Sequence, residues 1–246
     1  MKSIVFCTSF FRNEKDWNAR YQRWLDHYRQ IPFADSRLLM IDDGSFYTPA
    51  AEKIRSIGCD QTIDGSDPLL VRFANRLGRS ALMSYPGWWR SFLHSVHIAR
   101  ELGAKKIIHI ESDAFLLSPR LIDDIEQQQS GWSVLWSPHY DMPETALQII
   151  CEDQFDKMDA LRKRDLSEFN GLLAEDILPF TKICRQYIGD RYSEMRIPIL
   201  DHGILRSGKI NKMKFFRSDR FRARIPANAD FATQVTPDQA IWLPGK

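Results

Sequence analysis

The sequence has no glycine where two nucleotide-binding chemistries would need one. Its first apolar run ends in Thr8-Ser9-Phe10-Phe11-Arg12. A sugar-activating nucleotidyltransferase cradles a triphosphate in a Gly-rich loop directly after the first strand, and a dinucleotide-binding dehydrogenase carries G-x-G-x-x-G there. Both readings fall. Cysteine is scarce: Cys7, Cys59, Cys151 and Cys184 lack any C-x-x-C spacing and lie mostly in apolar runs, as expected of reduced core thiols in a cytosolic protein. Long hydrophobic runs are missing too. The apolar run near Met1 ends within a few residues, short of a signal-peptide core and far short of a membrane span, so neither export nor bilayer spanning is expected. Charge of one sign is in little excess, and a net +2 is too small to argue for a nucleic-acid partner. No internal repeat, low-complexity tract or interdomain linker interrupts the 246 residues. With 43% hydrophobic and 27% charged residues, the chain reads as one large α/β domain.

What is present is a succession of short β-branched runs that end in polar clusters. Ile4 to Thr8 is the first, followed by a helix with Trp17, Tyr21, Trp24, Leu25 and Tyr28 at one-face spacing and Asn13 as its N-cap. Leu38 to Ile41 leads into Asp42-Asp43-Gly44-Ser45. Ala50 to Gly58 reads as a short helix closed by glycine, and Gln61 to Ile63 as a brief strand. Pro86-Gly87 opens a helix through Leu102 with Trp89, Phe92, Leu93 and Val96 as a buried stripe; His94 and His97 on its flank are left without a role. Lys106 to Leu117 then delivers Ile107, Ile108 and Ile110 into Glu111-Ser112-Asp113. An apolar run this short is a buried strand, and its two carboxylates, one position apart, leave it on one side, where a hard cation or a ribose can be held. Ser118-Pro119 caps a helix to about Gln129, Trp132 to Trp136 is a strand, and Ser137 to Pro143 is a polar, aromatic loop suited to a sugar. Thr145 to Ile150 is a further strand.

Taken in order, these motifs resemble GT-A fold glycosyltransferases. Glu111-Ser112-Asp113 resembles their Asp-x-Asp or Glu-x-Asp element, Asp42-Asp43-Gly44-Ser45 their acidic turn after the second strand, and Asn75-Arg76-Leu77-Gly78-Arg79 a segment facing the donor diphosphate. The resemblance implies a single α/β, Rossmann-like GT-A domain over residues 1–246, with a mostly parallel central sheet flanked by helices. Residues 1–118 would form the nucleotide-sugar half and residues 119–246 the acceptor half. It implies a donor site of Thr8, Arg12, Asp42, Asp43, Arg76, Arg79, Glu111, Ser112 and Asp113, with Asp42 or Asp43 at the nucleoside and Arg76 or Arg79 at the phosphates. It also implies a divalent ion, Mn or Mg, on Asp113 and His202, with Glu111 in reach. Glutamate at 111, where many members have aspartate, allows that carboxylate to pass from metal to ribose.

Ala174-Glu175-Asp176 resembles the family's acid that serves as general base in inverting transfer, which makes Asp176, or Glu175, the expected catalytic group. The same pair also fits a helix amino terminus, and Glu152-Asp153 is a weaker candidate for the role. Lys209 to Arg224 holds seven basic residues against the single acid Asp219. That segment suits folding over a diphosphate, lying on anionic lipid, or a solvated hairpin. The implied partners are a UDP- or GDP-linked sugar and a glycan or lipid-linked glycan acceptor in surface-polysaccharide synthesis. The place implied is the cytoplasm, with peripheral membrane contact through 209–224. The competing reading is a non-catalytic nucleotide- or carbohydrate-binding module.

Overall fold

The computed structural model describes residues 2–31, 33–63, 68–81, 83–192, 224–236, 239 and 243. In chain order the elements are β1 (Ser3–Ser9), α1 (Glu14–Asp16), a π-helical turn (Trp17–Tyr21), α2 (Gln22–Tyr28), β2 (Ser36–Asp42), β3 (Arg55–Gly58) and β4 (Leu69–Arg72). There follow α3 (Pro86–Glu101), β5 (Lys106–Ile110), β6 (Phe115–Leu116), α4 (Pro119–Gln127), β7 (Trp132–Ser137) and β8 (Met142–Cys151). The remainder is α5 (Phe155–Arg162), α6 (Ala174–Ile177), β9 (Lys182–Cys184), β10 (Gly189–Arg191) and β11 (Phe231–Thr233).

Eight strands form one sheet in the order β3-β4-β2-β1-β5-β8-β7-β9, and only β8 runs against the others. The expected α/β architecture with a mostly parallel sheet is what forms. Strand pairing crosses residue 118, since β5 pairs with β8. A small second sheet, β10-β11-β6, lies at the strand ends.

Alternation along the strands explains the layers. Val5 and Cys7 of β1 and Leu38 and Met40 of β2 face the aromatic stripe Trp17, Tyr21, Trp24 and Tyr28, while Ile4, Phe6, Leu39 and Ile41 face Trp89, Phe92, Leu93 and Val96 of α3. Both faces are therefore covered, which is the condition for a buried parallel sheet. Trp17, Trp24, Trp89 and Trp132 are fully buried, and truncating one of them to alanine costs about 3–5 kcal/mol. Asn13 caps the first helix by accepting from the Asp16 amide, and Ser118 caps α4 by accepting from that of Leu121.

Two local readings are corrected. The segment read as a helix over Ala50 to Gly58 is a turn followed by β3, because Arg55–Gly58 pairs in parallel with β4 and buries Ile57, so partner strand and burial override a short helical pattern. Gln61 to Ile63 is not a strand; the edge of the sheet is β3, paired to β4. The strand read at Thr145 to Ile150 is longer, Met142–Cys151.

The strand order also fixes where a ligand can sit. From β1 the chain moves to β2 on one side and later returns to β5 on the other, so the loops leaving β1 and β5 part company at their carboxyl ends. Such a switch point opens a crevice.

Candidate active site at the carboxyl ends of β1, β2 and β5

Two adjoining chambers occupy that crevice. The smaller one, about 380 Å³, is lined by Thr8, Asp43, Arg79, Trp88, Ser91 and Glu111 among others; the larger one, about 640 Å³, by Arg12, Asp16, Arg23, Asp113 and Gln234 among others. Phe10, Arg20, Tyr21, Arg76 and Ser112 line both, so the two form one cleft. Of the expected donor residues, Thr8, Arg12, Asp43, Arg76, Arg79, Glu111, Ser112 and Asp113 all reach its wall, although 105 positions separate the first from the last.

Glu111 is gripped from several sides. Thr8 Oγ1 donates to both carboxylate oxygens at 3.0 Å, Trp88 Nε1 donates to Oε1, and His109 Nε2 lies 3.0 Å from the same oxygen. Trp88 is itself fixed by stacking on Phe92, and His109 is packed against Phe6 and Phe92. Burial pushes the Glu111 carboxyl up, but the hydrogen bonds from His109, Trp88 and Thr8 outweigh it and hold the group below its ordinary value. It is a carboxylate at neutral pH.

The acidic turn divides its labour. Asp42 is fully buried and accepts from Ser9, from the Ser45 amide at 2.8 Å and from Arg72 at 3.4 Å. Burial raises its pKa against those bonds, and the side chain is absent from the cleft wall, so Asp42 shapes the turn. Asp43 does face the cleft. Its carboxylate accepts from the Leu77 amide at 3.3 Å, the Gly78 amide at 2.6 Å and Arg90, which ties the Asn75 to Arg79 loop against β2. The approach is so close that glycine is required at two places. A Cβ on Gly87 would strike the Asp43 carboxylate, and one on Gly44, whose φ is +73°, would lie 2.7 Å from the Arg76 amide nitrogen. Arg76 stacks over the Phe10 ring at 3.9 Å, and Arg79 over Tyr85 at 4.7 Å.

Asp113 forms an ion pair with Arg20, and its carbonyl accepts from the Val235 amide at 2.9 Å, which brings the 234–236 segment to the cleft wall. Of the set expected to hold a divalent ion, the two described carboxylates are already engaged within the protein. Glu111 Oε1 accepts from Thr8 and Trp88 and lies beside His109 Nε2, Asp113 Oδ2 pairs with the Arg20 guanidinium, and no three metal-ligating side chains converge among the described residues. His202, and the 209–223 part of the basic segment, lie outside the described residues.

Glu175 and Asp176 are not brought into this cleft wall. They sit in the first turn of α6, where Glu175 accepts from Thr145 at 2.9 Å and pairs with Arg191 at 3.0 Å, while Asp176 is exposed. The neighbour of Thr145, Ala146, accepts the Glu111 amide at 2.9 Å, so Glu175 stands one strand away from the Glu-Ser-Asp turn. Glu152 pairs with Lys105, and Asp153 accepts from the Gly131 amide, at the opposite ends of β5 and β8. His94 and His97, which do not line the cleft, lie with their ring centroids 5.3 Å apart in a tilted arrangement; burial and the charge of His97 depress His94 to about 4.

Several cleft residues escaped the sequence reading, among them Arg20, Trp88 and Ser91. Trp88 lies one residue off the Trp89 stripe, and its stacking on Phe92 marks it only in three dimensions. Ser91 is wholly buried at the smaller chamber with no partner for its hydroxyl among the described residues. Arg20 carries a usable signal, a cation inside an aromatic stripe on the first helix after β1.

No family model matches the chain, and no curated protein matches its sequence. Several solved structures are similar in chain layout. A glycosyltransferase involved in glycosylation of the major capsid of PBCV-1 is 8% identical over 99% of each chain, with a TM-score of 0.44. The galactosyltransferase LgtC, in complex with donor and acceptor sugar analogues, is 11% identical over 94% of this chain and 86% of that one, with a TM-score of 0.46. A nucleotide-diphospho-sugar transferase from Desulfovibrio desulfuricans G20 is 12% identical over 69% of this chain and 74% of that one, with a TM-score of 0.41.

Proposed function

We propose that this protein is a glycosyltransferase that takes a sugar from a UDP- or GDP-linked donor and passes it to a hydroxyl of a glycan or lipid-linked glycan. The observation that carries the reading is the cleft at the β1–β5 switch point, where an acidic, a hydroxylic and a basic group from three separate sequence motifs face one cavity. In this reading Thr8, Asp43 and Glu111 surround the nucleoside, with the longer Glu111 side chain turned inward to the ribose end, and Arg76 and Arg79 serve the phosphates. Guanidinium groups suit that task because their planar fork meets two phosphate oxygens at once.

The transfer itself is proposed as a single inverting displacement. The acceptor hydroxyl attacks the anomeric carbon, the bond to the diphosphate breaks with its electron pair leaving on oxygen, and Asp176 accepts the hydroxyl proton. Exposure suits Asp176 to an incoming acceptor, whereas Glu175 is held by Arg191 and Thr145.

No helix among the described residues is long and apolar enough to cross a membrane. A cytoplasmic enzyme of surface-polysaccharide synthesis, with the basic 209–224 segment meeting a lipid-linked acceptor, is the setting we propose. The test is release of UDP or GDP from a panel of their sugars, followed by chromatography with and without glycan acceptors. Acceptor-stimulated release supports transfer. Donor binding without release from any sugar would favour the binding-module reading, and an NMR assignment showing donor and product with the same anomeric configuration would eliminate the inverting route.

A further inference from the structure

We propose that Arg20, held in place by Asp113, is the cation that meets the donor diphosphate in this cleft, in the position where the Glu-Ser-Asp motif leads one to expect a divalent ion. The inference rests on the donor-site reading above and identifies what neutralises the phosphates there.

Arg20 stands at the seam of the cleft, lining both chambers with Ser112 and Arg76. Its ion pair with Asp113 runs through one outer nitrogen, Nη2. A guanidinium has five N–H donors in a rigid fork, so engagement at one edge leaves donors for a second anion. Arg76 stands on the same cleft wall, its guanidinium stacked on Phe10. Two cations thus border the seam and Arg79 lines the adjoining chamber, so positive charge faces the space a diphosphate would take.

The backbone beneath Arg20 is built to hold it there. Residues Trp17–Tyr21 form a π-helical turn, a wide turn that recurs at functional positions. Tyr21 fixes this turn to the end of β1: its hydroxyl accepts from the Phe10 amide and donates to the Phe10 carbonyl, each at 3.0 Å. Trp17 and Tyr21 are buried while Arg20 between them projects into the cleft. The carboxylates complete the argument. A divalent ion on Asp113 would share that carboxylate with Arg20, and one on Glu111 Oε1 would compete with Thr8, Trp88 and His109. With Arg20 in place, Asp113 acts as a positioning residue.

The experiment is calorimetric titration in EDTA with inorganic pyrophosphate, UDP and GDP, repeated with Mn²⁺. The proteins are the wild type, Arg20→Ala, Arg20→Lys and Asp113→Asn, each checked for folding by circular dichroism. Wild type is expected to bind all three anions without metal. Arg20→Ala should weaken binding about tenfold or more, as loss of a charge-assisted hydrogen bond requires, with no rescue by Mn²⁺ and part of the loss restored in Arg20→Lys. Asp113→Asn, which keeps an acceptor for the guanidinium, should lose less than Arg20→Ala. A metal-ligating Asp113 demands the reverse order. Nucleotide binding that appears only with Mn²⁺, or an unchanged Arg20→Ala, overturns the role of Arg20 and leaves the transferase reading standing. Pyrophosphate binding that depends on Arg20, with no added affinity for UDP or GDP, does the opposite. No binding of any anion in either condition overturns both.

Discussion

Two clusters of charge in this protein use the same residue types to different ends. At the β1–β5 switch point, Asp43, Glu111, Asp113, Arg20 and Arg76 surround open space. Beside β8, Glu144 accepts from Arg191 at 2.6 Å and from Thr233 at 2.9 Å, and Arg191 also binds Glu175, with none of these side chains lining the cleft. Glu144 is 1% exposed, so its charge is compensated within the protein by Arg191, the Thr233 hydroxyl and the Ala146 amide. In the first cluster the partners fix the direction of groups that still face a cavity. In the second they extinguish one another. Charge density alone therefore does not mark a site; what marks it is charge arranged around a void at a topological switch point.

Breaking the second cluster should give the largest effect. Arg191→Met leaves the Glu144 carboxylate buried without its partner and is expected to cost about 3–5 kcal/mol, read as a fall in the thermal midpoint, with nucleotide affinity retained in whatever protein remains folded. An equal loss of nucleotide affinity would erase the distinction between the clusters. Asp176→Asn should lower turnover by about 10²- to 10⁴-fold with donor affinity unchanged, as removal of a general base does. Glu175→Gln should act more on stability than on turnover, through Arg191, and the converse pattern would move the base by one residue.

His94 offers a smaller effect with a definite sign. Its folded pKa of about 4 lies below the ordinary histidine value, so the unfolded chain binds the proton first as pH falls. Stability should be intact above about pH 6.5 and decline as pH drops towards 4, by at most about 3 kcal/mol. His94→Phe should flatten this part of the pH–stability curve, and an unchanged slope would contradict the assignment. The smallest change is Gly87→Ala. Its Cβ displaces the Asp43 carboxylate, and a cost of about 1–3 kcal/mol should appear in nucleotide affinity as well as in stability.

Much of this was legible in the chain because the signals were local. Alternating apolar strands, the Asn13 and Ser118 caps and the Trp89–Val96 stripe each depend on near neighbours, and each forms as read. β3 was misread because four residues with one buried isoleucine carry no period, and their identity is set by β4, which lies beyond the intervening loop. The polar strand ends were legible as a series, whereas their connections were not. Glu111 spans 103 positions to reach Thr8, and Asp113 spans 93 to reach Arg20. Nothing in the Glu-Ser-Asp spacing distinguishes a carboxylate that awaits a metal from one that holds an arginine.

The most direct test of the central claim is calorimetric titration of the intact protein with UDP, GDP and their sugars, in Mn²⁺ and again in EDTA, alongside Gly87→Ala and Arg191→Met. The account predicts saturable binding of at least one nucleotide sugar that weakens in Gly87→Ala and persists in folded Arg191→Met. Absence of binding to every nucleotide and sugar under both conditions would contradict it.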